Sequence, residues 1–397
     1  MLFSISLILI VGMAMGYICK RVKLPNLLGM LLTGIVLGPY VLNLLDASIL
    51  GISAELRKIA LIIILTRAGL GLDVSGLKKI GRPAILMCFL PASCELLGMI
   101  ILGPKLLGLS LLEAAIMGAV LAAVSPAVVV PRMVKLMDEG YGIKKGIPQL
   151  ILAGASVDDV YVIVLFSTFV GIMQGNEVSV VSFINIPVSI ILGIGIGFLA
   201  GLVLTLFFNK VHIRDTAKVL IILSVSFALV AIEDKLTTAI TFSALIAIMF
   251  IGIGVQQKRE DLAIRLSNKY AKLWVGAEVF LFVLVGATVN ISYLGKVGIG
   301  AVLAILGALV FRMLGVFLCV LGTKLKSKER LFVMLAYTPK ATVQAAIGGI
   351  PLALGFACGD TVLTVAVLAI VITAPIGAFA IDSTYKRFLC KDEKNCC

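Results

Sequence analysis

The sequence predicts an all-α, polytopic membrane protein, and three observations carry that prediction. Of 397 residues, 61% are hydrophobic and only 14% are charged. Apolar runs of roughly 20 residues, the length that spans a bilayer as a helix, recur from end to end. The formal net charge of +13 would suit nucleic acid if it were clustered, yet Lys and Arg fall singly or in short groups between the apolar runs, as topology signals do.

Run length and breaker residues give about thirteen spans. The first, roughly 2–18, is followed by Lys20, Arg21 and Lys23 and has no basic stretch before it, so it reads as a retained span and not a cleaved leader. The second, roughly 25–44, and the third, roughly 56–72, are apolar; Arg67 lies near the end of the third, placed to snorkel or to pair with Asp73 or a core acid. Glu95 interrupts the fourth (roughly 83–103), and the fifth (roughly 110–136) reads VSPAVVVPR, with Pro126 and Pro131. Adjacent Asp158 and Asp159 lie about ten residues into the sixth, roughly 148–173. The seventh to ninth (roughly 182–208, 216–232 and 237–255) rest on run length, and the tenth (roughly 273–290) carries a shallow acid, Glu278, suited to line a funnel or to sit at the interface. Arg312 falls in the eleventh (roughly 297–322); YTPKATVQAAIGGIP, with Pro339, Lys340, Gly348 and Gly349, lies in the twelfth (roughly 331–354); the thirteenth is roughly 361–381.

Alternate connections, with the tail, hold 26 Lys and Arg; the other side holds Arg57, Lys58, Lys105, Lys235 and Lys296. The richer side includes Lys78, Lys79, Lys144, Lys145, Lys258, Arg259, Lys324 and Lys386, which predicts a cytoplasmic C-terminus and an outer N-terminus. Arg67, Arg312 and Lys340 are the basic residues left within spans. The short stretch after Lys386 suggests no nucleotide-sensing or DNA-binding module. Eight cysteines without a C-x-x-C pair and a lone His212 in a loop indicate neither a zinc site nor a disulfide framework, and no cofactor is expected; Cys396 and Cys397 suit lipidation, redox chemistry or a plain tail.

Spans one to six and eight to thirteen form two six-span units joined by an odd connector, which makes them inverted repeats. Residue identity between the halves is weak; the positions carry the match. The fifth span of each unit contains proline and should be a broken helix, and the fourth of each carries a charge, Glu95 or Arg312. At 1.5 Å per residue, Asp158, Glu95, Arg312 and Lys340 each reach roughly 14–18 Å from the cytoplasmic end of their span, near the midplane, and Ser125 reaches that level from the other side. A polar cluster around two interrupted helices is the layout of a transporter's ion site, because broken helices free carbonyls and dipole ends that coordinate cations while carboxylates supply charge. Neighbours on a helix diverge by about 100°, so the two aspartates have different tasks. Burial and a like charge favour a protonated carboxyl, whereas sodium favours the ionised one; one group then holds either, and that competition suffices for exchange.

Duller readings stand beside these. The aspartates would be a helix cap if the span boundary were misplaced, Glu95 and Arg312 a purely structural ion pair, and Lys340 a snorkelling surface lysine. As an isolated pair, Glu95 and Arg312 should tolerate joint apolar replacement better than the loss of either alone. The 39 glycines mostly allow close helix packing.

The runs LPNLLGMLLTGIVLGP (Leu24 to Pro39), TRAGLGLD (Thr66 to Asp73), VSPAVVVP (Val124 to Pro131), GYGIKKGIP (Gly140 to Pro148), ASVDD (Ala155 to Asp159) and PKATVQAAIG (Pro339 to Gly348) together resemble the monovalent cation/proton antiporters, nearest the NHA-type sodium/proton exchangers. The resemblance implies the sodium/proton antiporter fold and a homodimer whose core moves as an elevator against a scaffold. The implied parts are a scaffold at 1–81 and 210–292, a core at 82–175 and 293–383, a connecting helix at 176–209 and a tail at 384–397. It makes Asp159 the carrier of proton, Na+ or Li+ and Asp158 its tuning neighbour. Arg312 with Glu95 becomes a supporting pair, Lys340 the charge that balances the second crossover, and Ser125 and Thr342 neutral oxygens. Arg312 stands where electrogenic relatives carry lysine and does not give up its proton, which points toward electroneutral exchange. Val157 replaces an aromatic of mammalian relatives, and Ser125-Pro126 replaces the Thr-Asp-Pro of the other antiporter group.

Other classes fit less well. A channel would need a filter such as TVGYG, and an intramembrane aspartyl protease would place its two aspartates on different helices. A sodium-coupled organic-solute symporter of similar architecture, or a K+/H+ antiporter, remains the alternative. Short tails suggest a bacterial plasma membrane.

Overall fold

The computed structural model describes residues 1–72, 81–174, 180–236 and 242–391, apart from the side chains of 156, 160, 180–187, 234 and 291–297. Asp73, Lys78, Lys79, Cys396, Cys397 and the side chain of Lys296 thus lie outside the described residues. Helices account for the described fold: α1 (Leu2–Arg21), α2 (Asn26–Leu37), α3 (Ala47–Gly51), α4 (Ser53–Gly71), α5 (Arg82–Met87), α6 (Leu90–Leu107), α7 (Leu111–Leu121), α8 (Pro126–Asp138), α9 (Ile147–Met173), α10 (Val180–Lys210), α11 (Asp215–Lys235), α12 (Ala244–Lys258), α13 (Glu260–Thr288), α14 (Ile291–Val320), α15 (Ser327–Ala336), α16 (Thr342–Ile347), α17 (Ile350–Ala353) and α18 (Gly359–Phe388).

Among the described residues, nine helical segments are long and apolar enough to cross a bilayer, counting α5–α6 and α7–α8 as one each. The remaining expected spans fall on the shorter apolar helices α2, α12 and α16–α17 and on α4, which carries Glu55, Arg57, Lys58 and Arg67. Exposure follows the rule for a protein solvated by lipid: Ile299 is 79% and Phe379 74% exposed, while Glu95, Asp158, Arg312 and Lys340 are fully buried. The chain is an all-α integral membrane protein.

Two compact units divide it, one of residues 1–54, 73–169 and 279–397, the other of 55–72 and 170–278. In the second unit α10 packs along α12, and Asp215 at the start of α11 holds both Lys218 (3.0 Å) and Arg265 (2.9 Å). The fully buried Glu95, Asp158, Arg312 and Lys340 belong to the first unit.

Within that first unit, the two spans expected to break, those of Pro126 and of Pro339, are both interrupted. A capping box starts α7, with Glu113 N donating to Ser110 Oγ (3.3 Å) and Ser110 N to Glu113 Oε2 (2.8 Å). The helix stops at Leu121, and α8 restarts with Pro126 in its first turn, where a missing N–H costs nothing. The amide of Ser125, which would have continued the ladder, donates instead to Pro339 O (2.8 Å). Pro131, expected to share in the break, stays inside α8. It removes one ladder bond but has no partner element to draw the neighbouring amides away, so the interruption is the work of Pro126. The second break, Tyr337 to Ala341, separates α15 from α16, and Gly348-Gly349 separates α16 from α17. The two breaks therefore meet at Ser125 and Pro339.

The charged partners arrive on α6 and α14, which lie closely side by side because small residues face large ones. A Cβ on Gly98 would stand 2.7 Å from the Phe311 ring, and one on Gly315 2.8 Å from Pro91 Cα. Beyond α8, the loop to α9 is fastened on two sides: Lys145 donates to both oxygens of Glu329 (2.8 Å) and Gly142 N to Cys390 O (3.0 Å). Tyr385 OH donates to Glu139 (2.9 Å) beside it.

Gly315→Val should force α14 off the backbone of α6 and cost roughly 1–3 kcal/mol. The measurement is the melting temperature in detergent, where an unchanged value would show that the contact is not limiting.

Candidate functional site

Asp158 and Asp159 are the twelfth and thirteenth residues of the 27-residue α9, well inside the helix and not at a cap. Asp158 is fully buried, and its Oδ2 accepts from Arg312 Nη2 (2.7 Å) and from Val124 N (3.0 Å) at the first break. Asp159, 7% exposed, has neither an ion pair nor a hydrogen bond among the described residues, and its Oδ1 is buried without a partner. The helical turn thus separates a carboxylate held through Oδ2 by two donors from one that makes no bond among the described residues.

Arg312 is the hub. Its Nη1 donates to Glu95 Oε2 (2.9 Å) and to Ala122 O, its Nε to Tyr337 O (2.7 Å), and its guanidinium lies over the Tyr337 ring at 5.1 Å. Lys340 completes the network: Nζ stands 2.6 Å from Glu95 Oε1 and donates to Leu121 O (2.6 Å), while its backbone N donates to Thr373 Oγ1 (3.0 Å). This overturns snorkelling for Lys340, which points into the protein and is fully buried. It also enlarges the expected pair of Glu95 and Arg312 into a four-member network with Asp158 and Lys340. Removing Glu95 and Arg312 together would strand the other two, so joint replacement is no longer the mild change that an isolated pair would allow.

The carbonyls that end α7 are each capped: Leu121 by Lys340, Ala122 by Arg312 and Ala123 by Gln344 Nε2 (2.9 Å). Cations at a helix C-terminus offset its dipole. Ser125 Oγ and Thr342 Oγ1 are buried with no hydrogen-bond partner, so both keep unspent acceptor capacity. Tyr337 OH donates to Met87 O (3.3 Å) and presses so closely on Gly154 that no side chain fits there. Glu278 and Arg67 are half-buried on α13 and α4, in the second unit, outside this network.

Sequence reasoning did not single out Tyr337, Gln344 or Thr373. Each is a neutral polar residue in an apolar stretch; for Tyr337 and Gln344 the available signal was nearness to Lys340 in the chain, with Gln344 inside the quoted PKATVQ run, whereas Thr373, 33 residues away, offered none.

Counted at full ionisation, three carboxylates face two cations. Glu95 and Asp158 are matched by Arg312 and Lys340, and Asp159 is the remainder.

Comparison with known proteins identifies the family. The family described as "Sodium/hydrogen exchanger, transmembrane" matches residues 5–386. The human Sodium/hydrogen exchanger 9B2 is 34% identical over 384 residues, 93% of this chain and 71% of the relative. The human Sodium/hydrogen exchanger 9B1 is 32% identical over 370 residues, 89% and 70% respectively. Among solved structures, the sodium proton antiporter MjNhaP1 from Methanocaldococcus jannaschii superposes with a TM-score of 0.84 over 97% of both chains at 21% identity, a likeness of fold. The chain belongs to the sodium/hydrogen exchanger family and is a secondary active antiporter of Na+ (or Li+) and H+.

Proposed function

We propose that exchange takes place at Asp159, which binds one H+ or one Na+ or Li+ in turn. The observation that carries this reading is the unmatched carboxylate: Asp159 is buried among two cations already committed to Glu95 and Asp158. A bare charge in a low-dielectric interior costs several kcal/mol, so the site is comfortable there only when a proton or a small cation neutralises it. Crossing in the bare form is the costly step, and that cost is what couples the two fluxes. Arg312 keeps its proton, and Lys340 is held by a carboxylate and a carbonyl, so neither changes charge as cargo changes. Each crossing then carries a neutral unit, and the exchange is one-for-one and electroneutral. Asp158 orients the first break and tunes Asp159 by its nearby charge, while Ser125 and Thr342 supply neutral oxygens to the cation.

The wider scheme has thirteen helices in two inverted six-helix repeats, crossed at the broken spans. The core, residues 82–175 and 293–383, moves as an elevator against a scaffold of 1–81 and 210–292, joined by 176–209. Both breaks, Asp158, Asp159, Glu95, Arg312 and Lys340 share one compact unit, which supports their crossing as one body. Residues 1–54 group with that unit by packing, so their scaffold role rests on family resemblance. Glu278 is placed as a funnel acid. A homodimer, from the family resemblance, in a bacterial plasma membrane completes the proposal, and the distribution of Lys and Arg supports its orientation, N-terminus outside and C-terminus cytoplasmic.

In proteoliposomes with an imposed pH gradient, added Na+ or Li+ should dissipate the gradient, and Asp159→Asn should abolish the response. An equally active Asn variant would remove Asp159 from the mechanism. Because one proton is displaced per ion, the half-saturating Na+ concentration should rise roughly tenfold for each pH unit of acidification once the proton holds the site; an affinity independent of pH would contradict competition. Arg312→Gln should cost about 3–5 kcal/mol by stranding Asp158 and leaving Glu95 to Lys340 alone, and a joint apolar replacement of Glu95 and Arg312 should be no milder than Glu95→Gln alone. Detergent melting curves check this, and a joint variant as stable as the wild type would contradict the four-member network.

A further inference from the structure

Three successive carbonyls end α7, at the negative pole of its dipole, and such a row is in itself a cation site. Carbonyl oxygens replace a hydration shell, and a ring of them suits a large, weakly hydrated ion. Two of the three face donors that carry charge: Lys340 at Leu121 O and Arg312 at Ala122 O. The third, Ala123 O, has among the described residues Gln344 Nε2 as its sole donor (2.9 Å), and the same amide reaches Leu121 O at 3.3 Å. Ala123 immediately precedes Val124 and Ser125, whose amides hold Asp158 (3.0 Å) and Pro339 (2.8 Å). Its carbonyl therefore borders the aspartate site more closely in the chain than the other two.

Chemistry fixes the orientation of the Gln344 amide. Turned the other way, Oε1 would face two carbonyl oxygens with no proton between them. With Nε2 on the carbonyls, Oε1 is buried and without a hydrogen-bond partner, like Ser125 Oγ, Thr342 Oγ1 and the Oδ1 atoms of Asp158 and Asp159. Gln344 itself is fully buried on α16, and nothing in its charge explains its presence: it is neutral, and the two cations beside it already offset the dipole.

We propose that Gln344 is a positioning residue that sets cation specificity. By occupying Ala123 O and sharing Leu121 O, its amide withholds carbonyl oxygens from the cargo and leaves the cation the Asp159 carboxylate with the hydroxyls of Ser125 and Thr342. The carboxylate is a compact, strong-field ligand that rewards the small ions Na+ and Li+ for shedding water, and rewards K+ less. Losing the amide while keeping the volume would free the carbonyl of the residue whose neighbour Val124 holds Asp158, and would offer it to the larger ion. The inference rests on exchange at Asp159 as proposed above.

The test is gradient dissipation by Na+, Li+ and K+ in proteoliposomes of the full chain. Gln344→Met keeps nearly the same volume and removes the donor; it should retain exchange but lower the ratio of half-saturating K+ to Na+ about tenfold, the scale of one freed buried hydrogen-bonding group. Gln344→Asn keeps an amide one methylene too short to span both carbonyls, is the milder change for folding, and should lower the ratio about threefold. A folded variant with the wild-type ratio, or one whose activity falls alike for all three ions, would overturn the proposal and leave Gln344 a structural cap. Failure of the underlying reading looks different: the wild type would show no cation-dependent dissipation, or Asp159→Asn would retain it.

Discussion

One guanidinium organises the interior of this protein. Arg312 touches an acid on α6, an acid on α9, the carbonyl end of α7 and the carbonyl of Tyr337 at the second break. A buried arginine is tolerated only when its donors are spent, and here four acceptors from four segments spend them. The same bonds that satisfy Arg312 also fix where both interrupted helices stop. Asp158 is drawn to that hub, and its neighbour Asp159, rotated about 100° along the helix, is left out of it.

In the proposed mechanism that exclusion is what makes transport possible. A network balanced without Asp159 would give the remaining carboxylate a choice of proton or metal ion and no internal cation to fall back on. The crossing of the two breaks serves the same end. Ser125 N bonding to Pro339 O (2.8 Å) locks the breaks together, while Lys340, Arg312 and Gln344 cover the carbonyls of the first. The crossover is therefore rich in committed donors and keeps unspent acceptors at Ser125, Thr342 and Asp159. An environment of that kind receives cations.

Charge made much of this legible from residues alone. Glu95, Asp158, Asp159, Arg312 and Lys340 are conspicuous because ionisable groups in lipid-soluble spans are costly, and depth counting brings them to one level. Pro126 was legible as a break, but Pro131 looked equivalent; the difference lies in the amide of Ser125 being claimed by another element, which no local pattern reveals. The extent of the network was hidden for the same reason. Pairing Glu95 with Arg312 follows from their opposite signs and matching positions, whereas the bonds to Ala122 O and Tyr337 O depend on how two broken helices pass each other. Tyr337, Gln344 and Thr373 are neutral, and neutral polar residues in membrane helices commonly bond their own backbone, as Thr373 Oγ1 also does to Ala369 O (2.7 Å).

Exchange as proposed requires one carboxylate to hold a proton or an alkali ion and never both. Proton release on ion binding measures this without a membrane gradient: purified protein in weak buffer with a pH-indicating dye is titrated with Na+. One proton should appear per sodium bound at a pH where the site begins protonated, and none from Asp159→Asn. Sodium binding that releases no proton from the wild-type protein would contradict it.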